Sequence, residues 1–193
     1  MSDLVQKWTV VSTRQHRISA WCSAKETIFR LPCGTIKTVW TKSEGKTVAV
    51  LPVTPKRTFI LARQYRPGPD QIVDELPGGR CETGESVEIA ARRELFEETG
   101  CEAERWICLG QFLECAYSTV ERWGFIALNV REVGNVVANE HEPVQVVEKT
   151  LTELVEQLCN GLICDPEVAW AGLYRLSLVS IPSMGSDFAH FKP

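Results

Sequence analysis

Between Ser86 and Gly100 the chain carries a segment with every mark of a helix and an unusual load on its inner side. Ser86 suits an N-cap, Glu88 the first turn, and Gly100 the left-handed stop after the last turn. On a wheel of about 100° per residue, Glu94 and Glu98 fall only about 40° apart, and Glu97 about 60° from Glu94 on the other side. Ala90 and Ala91 share that arc and Val87 and Leu95 adjoin it, so the carboxylates overlap the face that should turn toward a core. An unpaired buried carboxylate tends to take up a proton, and three close together raise one another's pKa further. A hard divalent cation, Mg²⁺ or Mn²⁺ in its place, resolves the conflict by accepting carboxylate oxygens while keeping waters that a phosphate can displace. Taken alone, the stretch reads better as a solvated helix tied by an Arg93–Glu97 pair at i,i+4.

The run in front of the helix decides between these readings. It is Glu75-Leu76-Pro77-Gly78-Gly79-Arg80-Cys81-Glu82-Thr83-Gly84-Glu85. Two consecutive glycines after a strand-like segment let the backbone bend sharply and bring a carbonyl close to a cation.

Composition narrows the setting. With 193 residues, 44% hydrophobic and 24% charged, the chain is expected to form one compact domain with a small extra layer. A net charge of −4 and a pI near 5.5 give no global reason to bind nucleic acid or anionic lipid, whereas small phosphorylated ligands are compatible. The 8 cysteines contain no CxxC pair and mostly sit in apolar stretches, which argues against zinc or a disulfide framework. There is no basic segment followed by an apolar run at the N-terminus and no stretch of 18 apolar residues, so a cytoplasmic protein without a membrane span is expected.

Residues 5 to 40 hold short runs of β-branched and aromatic residues punctuated by Pro32 and Gly34, which suggests a small antiparallel sheet. The runs 47–53 and 58–66 read as a hairpin with a buried first arm, and further strands are expected at about 106–114, 122–130 and 144–148. Helices are predicted over 86–99, 151–160 and 166–178. This order suits an α+β fold, an α/β/α sandwich with a mixed central sheet.

Taken whole, Gly79, Glu85, Arg93, Glu94, Leu95, Glu97, Glu98, Gly100 and Cys101 resemble the Nudix box, G-x5-E-x7-R-E-U-x-E-E-x-G-U with U aliphatic. Every fixed position matches, and only Cys101 departs mildly from a larger aliphatic residue. At residue frequencies of about 5–7%, the fixed letters would agree by chance at a given position on the order of once in 10⁸ to 10⁹, which overturns the solvated-helix reading. The resemblance covers nearly the whole chain. Gln64-Tyr65-Arg66 followed by Glu75-Leu76-Pro77-Gly78-Gly79 is similar to the ADP-ribose and nucleoside-diphosphate-sugar pyrophosphatase branch, as are the N-terminal strands and Gly161-Leu162-Ile163-Cys164-Asp165.

The resemblance implies a Nudix fold, with residues 1–45 as an N-terminal antiparallel β subdomain serving dimerisation and 46–193 as the hydrolase domain. It implies metal ligation by the Gly78 carbonyl, Glu94 and Glu98, with Glu97 acting directly or through water, and support of the site by Gly79, Glu85, Arg93 and Gly100. Arg66, Gln64, Arg80 and Ser118 are the implied substrate contacts, Arg66 because its fork of donors suits a phosphate. An acidic base on a later loop is implied as well: Glu142 first, Glu140 second, with His141 between them as a solvated neighbour.

The chemistry implied is metal-assisted attack of water on a pyrophosphate, with ADP-ribose as the leading substrate and a homodimer as the assembly. The proline many ADP-ribose-specific members carry about 15 residues past the box is missing; the window reads Glu114-Cys115-Ala116-Tyr117-Ser118-Thr119 and the next proline is Pro143. GDP-mannose or another nucleotide sugar is therefore the alternative substrate, and a non-hydrolytic nucleotide sensor the alternative class. Trp8, Trp21 and Tyr117 are aromatic candidates for stacking on a base.

Overall fold

The chain opens with three antiparallel strands, β1 (Thr9–Arg17), β2 (Ser23–Arg30) and β3 (Ile36–Ser43), which form a sheet of their own in order β1-β2-β3. The structure is a computed structural model, and it describes residues 5–19, 22–137 and 143–180. These strands run longer than the sequence suggests, because β1 is a polar string, TVVSTRQHR, exposed along nearly its whole length. A strand with no buried face leaves no alternation to read.

The remaining elements are β4 (Lys46–Val53), β5 (Phe59–Arg66), β6 (Gln71–Glu75), β7 (Gly78–Arg80), α1 (Val87–Thr99), β8 (Cys101–Glu102), β9 (Arg105–Leu113), β10 (Glu121–Leu128), β11 (Arg131–Glu132), β12 (Gln145–Lys149), α2 (Leu151–Cys159), β13 (Ile163–Cys164) and α3 (Pro166–Arg175). Strand β4 is the spine. It pairs in parallel with β10 over its full length, from Lys46↔Glu121 to Val53↔Leu128, and β9 flanks β10 antiparallel. Because successive side chains of a strand point to opposite faces, β4 feeds two cores. Val48 and Val50 pack with Ala90, Ala91 and Leu95 of α1, while Ala49, Leu51 and Val53 pack with Leu154 of α2 and Val168 and Leu173 of α3. The mixed sheet thus lies between helical layers, which is the sandwich expected.

The hairpin expected at 47–66 is one only in its turn. β4 and β5 meet at the single pair Val53↔Phe59, after which they part: β4 takes β7 and β10 as neighbours, and β5 takes β6 and β12. Both arms are buried, so neither needed the other to satisfy its apolar residues. The short β7 is stitched onto the start of β4 through Ala49↔Gly78 and Thr47↔Arg80, and the Val50 N–H donates to the Pro77 carbonyl at 2.9 Å. The Gly-Gly segment is thereby locked at the mouth of the gap between the parting strands.

The third helix ends a turn earlier than 178. Ser177 adopts a left-handed φ of 56° and the Leu178 N–H turns back to the Leu173 carbonyl at 3.0 Å. Among the described residues, no helix is long and apolar enough to cross a membrane. All 8 cysteines are free thiols.

Candidate active site

Helix α1 is fixed at both ends. Ser86 Oγ accepts from the Ile89 N–H at 3.2 Å, and Gly100, at φ 67°, donates its N–H to the Phe96 carbonyl at 2.8 Å. A residue with a Cβ would be strained in that left-handed position. The rotation so fixed carries Ala90, Ala91 and Leu95 inward and sets the glutamates against the β6–β7 segment.

Glu98 is the most enclosed of the three. Its Oε2 accepts a hydrogen bond from the Gly78 N–H at 2.9 Å. Burial, with the nearby charges of Glu94 and Glu75 adding to it, pushes its pKa up to about 7 despite that bond. Glu94 is also raised, chiefly by burial, although Arg93 opposes the shift. Gly79 explains why the loop can lie so close: an ideal Cβ there would sit 2.6 Å from Glu94 Oε1. Glu97 is the most open, with 41% of its side chain exposed.

Arg93 binds the parts together. Its Nε and Nη2 grip Glu85 at 2.9 and 3.0 Å, Nη2 also reaches the Arg80 carbonyl at 2.9 Å, and Nη1 reaches Glu94 at 2.8 Å and Glu97 at 3.0 Å. Its charged form is strongly favoured, first by the Glu85 hydrogen bonds. The same bonds hold the Glu85 carboxyl below the usual carboxylate range, helped by the Glu82 N–H. Arg93 makes the i,i+4 pair with Glu97 that the spacing allows together with the grip on Glu85, and it also reaches Glu94, which sequence reasoning had not paired with it.

Beyond Glu98 lies a cavity of about 390 Å³, walled by Arg66, Glu75, Gly78, Gly79 and Arg80 together with Thr47 and Arg122. Arg66 is held by Glu75, with Nε at 2.8 Å from Oε1 and Nη2 at 2.8 Å from Oε2. A larger hollow of about 650 Å³ opens elsewhere, between Thr54, Cys101, Val130 and Glu148, but it holds none of the candidate site residues. The smaller cavity is the one with chemistry in its wall.

The NUDIX domain model matches residues 44–171. The chain belongs to the NUDIX family. As a member whose box is complete, it is a pyrophosphohydrolase by class. It is 32% identical over 130 residues to an ADP-ribose pyrophosphatase of Bacillus subtilis (strain 168), covering 66% of this chain and 70% of that one. It is 30% identical over 129 residues, with the same coverage, to a methanol dehydrogenase activator of Bacillus methanolicus. An ADP-sugar pyrophosphatase of Mus musculus is 39% identical over 97 residues, 44% of each chain. A crystal structure of an ADP compounds hydrolase shares the fold, with a TM-score of 0.74 over 92% of this chain and 97% of that one at 22% identity.

Against this NUDIX frame the remaining candidates separate. Gln64 is 7% exposed on β5, and its Nε2 has no hydrogen-bond partner among the described residues. Arg80 lies in the cavity wall, with Nη2 at 3.9 Å from Glu44. Ser118 lies outside the cavity wall. It sits where the β9–β10 loop docks on β3, its Oγ accepting from the Val120 N–H at 3.1 Å, while the Lys42 N–H donates to the neighbouring Tyr117 carbonyl at 2.8 Å. Glu140 and Glu142, with His141 and the aromatic candidate Trp21, fall outside the described residues. Val137, the last described residue before Glu140, donates its N–H to the Glu97 carbonyl at 2.8 Å.

Lys42, Glu44, Thr47 and Arg122 line the cavity although sequence reasoning passed over them, and Asp165 entered it only as the end of the Gly161–Asp165 stretch, with no role. The signal was present for Arg122, a charged residue just ahead of an apolar run, but only the parallel pairing of β4 and β10 reveals what stands beside it. Among the described residues, the carboxylates as they stand form no ready group of three metal ligands. Arg93 holds Glu94 and Glu97, and the Gly78 amide holds Glu98.

Proposed function

We propose that this NUDIX protein hydrolyses the pyrophosphate of a nucleoside diphosphate sugar with a divalent cation, converting ADP-ribose to AMP and ribose 5-phosphate. The observation that carries the reading is the placement of Glu98, half-buried and only partly compensated, against the amide of Gly78, which lines the cavity together with Arg66. The names of the bacterial and mouse relatives support the choice of an adenosine diphosphate sugar over GDP-mannose.

A cation fits the donor set. Glu75, Glu85, Glu94, Glu97 and Glu98 make five carboxylates, against the two guanidiniums of Arg66 and Arg93 that bond to them. Burial first, and neighbouring carboxylates second, raise Glu94 and Glu98, and a cation bound beside them would offset both. Glu94 and Glu98 with the Gly78 backbone are the groups that hold Mg²⁺ or Mn²⁺, Glu97 lying next to them. Bound there, the ion neutralises charge on the diphosphate and lowers the pKa of the attacking water.

The chain's own groups do the rest. Arg66 orients a phosphate through the guanidinium edge that Glu75 aims into the cavity. Arg93 and Glu85 keep the loop and helix in register, so that Glu94 and Glu98 stay within reach of the same point. Water attacks one phosphorus, the bond from that phosphorus to the bridging oxygen breaks, and the leaving phosphate keeps that oxygen. Glu142, or Glu140 in its place, takes the proton of the water.

We also propose a homodimer built through residues 1–45, with 46–193 as the hydrolase unit of each copy. The exposed apolar residues Val10, Val11, Ile36 and Trp40 on β1 and β3 support it. A monomeric mass in solution at assay concentration refutes the assembly.

The test of function is turnover of a panel containing ADP-ribose, UDP-glucose and GDP-mannose with Mg²⁺, products separated by chromatography, alongside Glu98→Gln. AMP and ribose 5-phosphate from ADP-ribose, absent with the variant, is the expected result. Tight binding of one compound with no turnover under Mg²⁺ or Mn²⁺ overturns it in favour of a nucleotide sensor.

A further inference from the structure

The cavity has a wall that the pyrophosphate chemistry leaves unused. Thr47 and Arg122 are register partners on the parallel strands β4 and β10, so their side chains stand side by side on one face of the sheet. Asp165, just before α3, completes the row. Two polar atoms here, Thr47 Oγ1 and Arg122 Nε, are buried with no hydrogen-bond partner among the described residues. Arg122 is ion-paired to Asp165 through Nη2, and its Nε lies 3.0 Å from Glu167 Oε1 but off the line of the N–H. The side chains of Arg122 and Asp165 are only 15% and 14% exposed, so bulk water does little to relieve that N–H. A buried hydroxyl and a buried guanidinium N–H left unmatched are costly, and a cavity is where a ligand supplies the match.

The charge of the wall says what kind of ligand. Lys42 is paired with Glu44 at 3.0 Å, Arg66 with Glu75 at 2.8 Å, and Arg122 with Asp165. Arg80, the fourth cation of the wall, reaches Glu44 only at 3.9 Å and lies by Gly78 and Gly79, where the pyrophosphate binds in the reading above; beside Thr47 the guanidinium of Arg122 already has its carboxylate. That part of the wall offers alternating donors and acceptors instead: a hydroxyl that does both, an N–H that donates and a carboxylate that accepts. Vicinal hydroxyl groups of an uncharged sugar complement that set, whereas an additional phosphate beside Thr47 would face the Asp165 carboxylate that Arg122 already neutralises.

We propose that Thr47, Arg122 and Asp165 form the subsite for the sugar beyond the scissile pyrophosphate, and that they restrict the enzyme to substrates whose second group is an uncharged polyhydroxyl. This rests on the nucleoside diphosphate sugar reading above. Arg122 donates from Nε to one sugar hydroxyl, Asp165 accepts from another, and Thr47 Oγ1 pairs with either. A site built to bond hydroxyl groups discriminates sharply against a ligand without them, because its own polar groups are then left unpaired.

The experiment compares ADP-ribose with the β-methyl ester of ADP, which keeps the adenosine, both phosphates and the scissile bond but has a methyl group where the second sugar would be. For wild type, Thr47→Val, Thr47→Ser and Arg122→Lys, kcat/KM is measured on both, with calorimetric Kd for both. Wild type is expected to prefer ADP-ribose. Thr47→Val and Arg122→Lys each lower that preference by about tenfold, the size of one lost hydrogen bond, mainly through KM. Thr47→Ser, which keeps the hydroxyl, retains most of it. Equal loss on both compounds, or an unchanged preference, overturns the subsite while leaving the hydrolytic reading standing. If wild type cleaves neither compound, the hydrolytic reading fails and the ratio of Kd values decides: selective weakening of ADP-ribose supports the subsite, and equal weakening or no binding refutes it.

Discussion

The amide of Gly78 donates to Glu98 Oε2 at 2.9 Å, joining the turn of the β6–β7 segment directly to the last glutamate of the helix. The carboxylate gains one hydrogen bond there but stays short of positive charge, since its pKa is pushed up to about 7. Replacing it by the neutral isostere, Glu98→Gln, is expected to cut turnover by at least about a hundredfold, because loss of a ligand should cost no less than loss of its supporting partners. The protein without metal should be as stable as wild type or slightly more so, and Mg²⁺ should no longer raise its melting temperature. Steady-state turnover checks the first and thermal unfolding with and without Mg²⁺ the other two, and a variant that still gains stability from Mg²⁺ would show that Glu98 is not a ligand.

Arg93 ties Glu85 on the loop to Glu94 and Glu97 on the helix, with 23% of its side chain exposed. Arg93→Lys keeps the charge but cannot serve four partners from one ammonium. Breaking a fully buried pair typically costs about 3–5 kcal/mol; at this exposure about 2–3 kcal/mol is expected. The activity loss should appear in kcat rather than KM, since what moves is the geometry of the glutamates. Denaturant unfolding and steady-state kinetics on the same preparation check this; an unchanged midpoint would show that the bonds around Arg93 are interchangeable.

What the chain reveals without a structure depends on the kind of constraint. The helix from Ser86 to Gly100 and the central strands were legible because cap residues and buried apolar runs are local signals. The glutamates were legible because their spacing conflicts with the apolar face they share. The pairing of Arg66 with Glu75 was not, because it depends on β5 and β6 being neighbours. Nor was the Thr47–Arg122 pair, separated by more than 70 positions and joined only by a parallel register. The parting of β4 from β5 was hidden for a related reason: a turn between two apolar strands looks the same whether or not the strands go on to pair.

Gly79 gives a steric prediction. Its ideal Cβ would fall 2.6 to 2.8 Å from the carboxylate atoms of Glu94, too close to be tolerated without moving that side chain. Gly79→Ala should therefore displace Glu94 at modest cost in stability, about 1 kcal/mol, the low end for overpacking, because the atoms displaced belong to a side chain. Activity should fall by more than that cost implies, with a weaker apparent affinity for Mg²⁺. The measurement is kcat/KM against Mg²⁺ concentration; a wild-type Mg²⁺ profile would mean that Glu94 can shift without consequence.

On the opposite face of the sheet, Asp74 makes the acid limit of stability predictable. It is 3% exposed, and it accepts from Arg63 at 2.6 and 3.0 Å and from Gln157 at 2.7 Å, with Lys149 at 3.7 Å. Burial alone would raise its pKa, but those donors and cations outweigh it and hold the carboxyl below its ordinary value of 3.8. A folded value below the unfolded one means the unfolded chain binds the proton more readily. The stabilisation is then complete well above pH 3.8 and is lost as pH falls through the folded value. Asp74→Asn should lower the melting temperature at neutral pH, and the gap from wild type should close as pH drops below about 4. Because Asp74 lies away from α1, the same variant should keep the Mg²⁺ dependence of turnover. Melting curves between pH 3 and pH 7 provide the check, and a gap that stays constant with pH would assign the loss to packing rather than to the charge of Asp74.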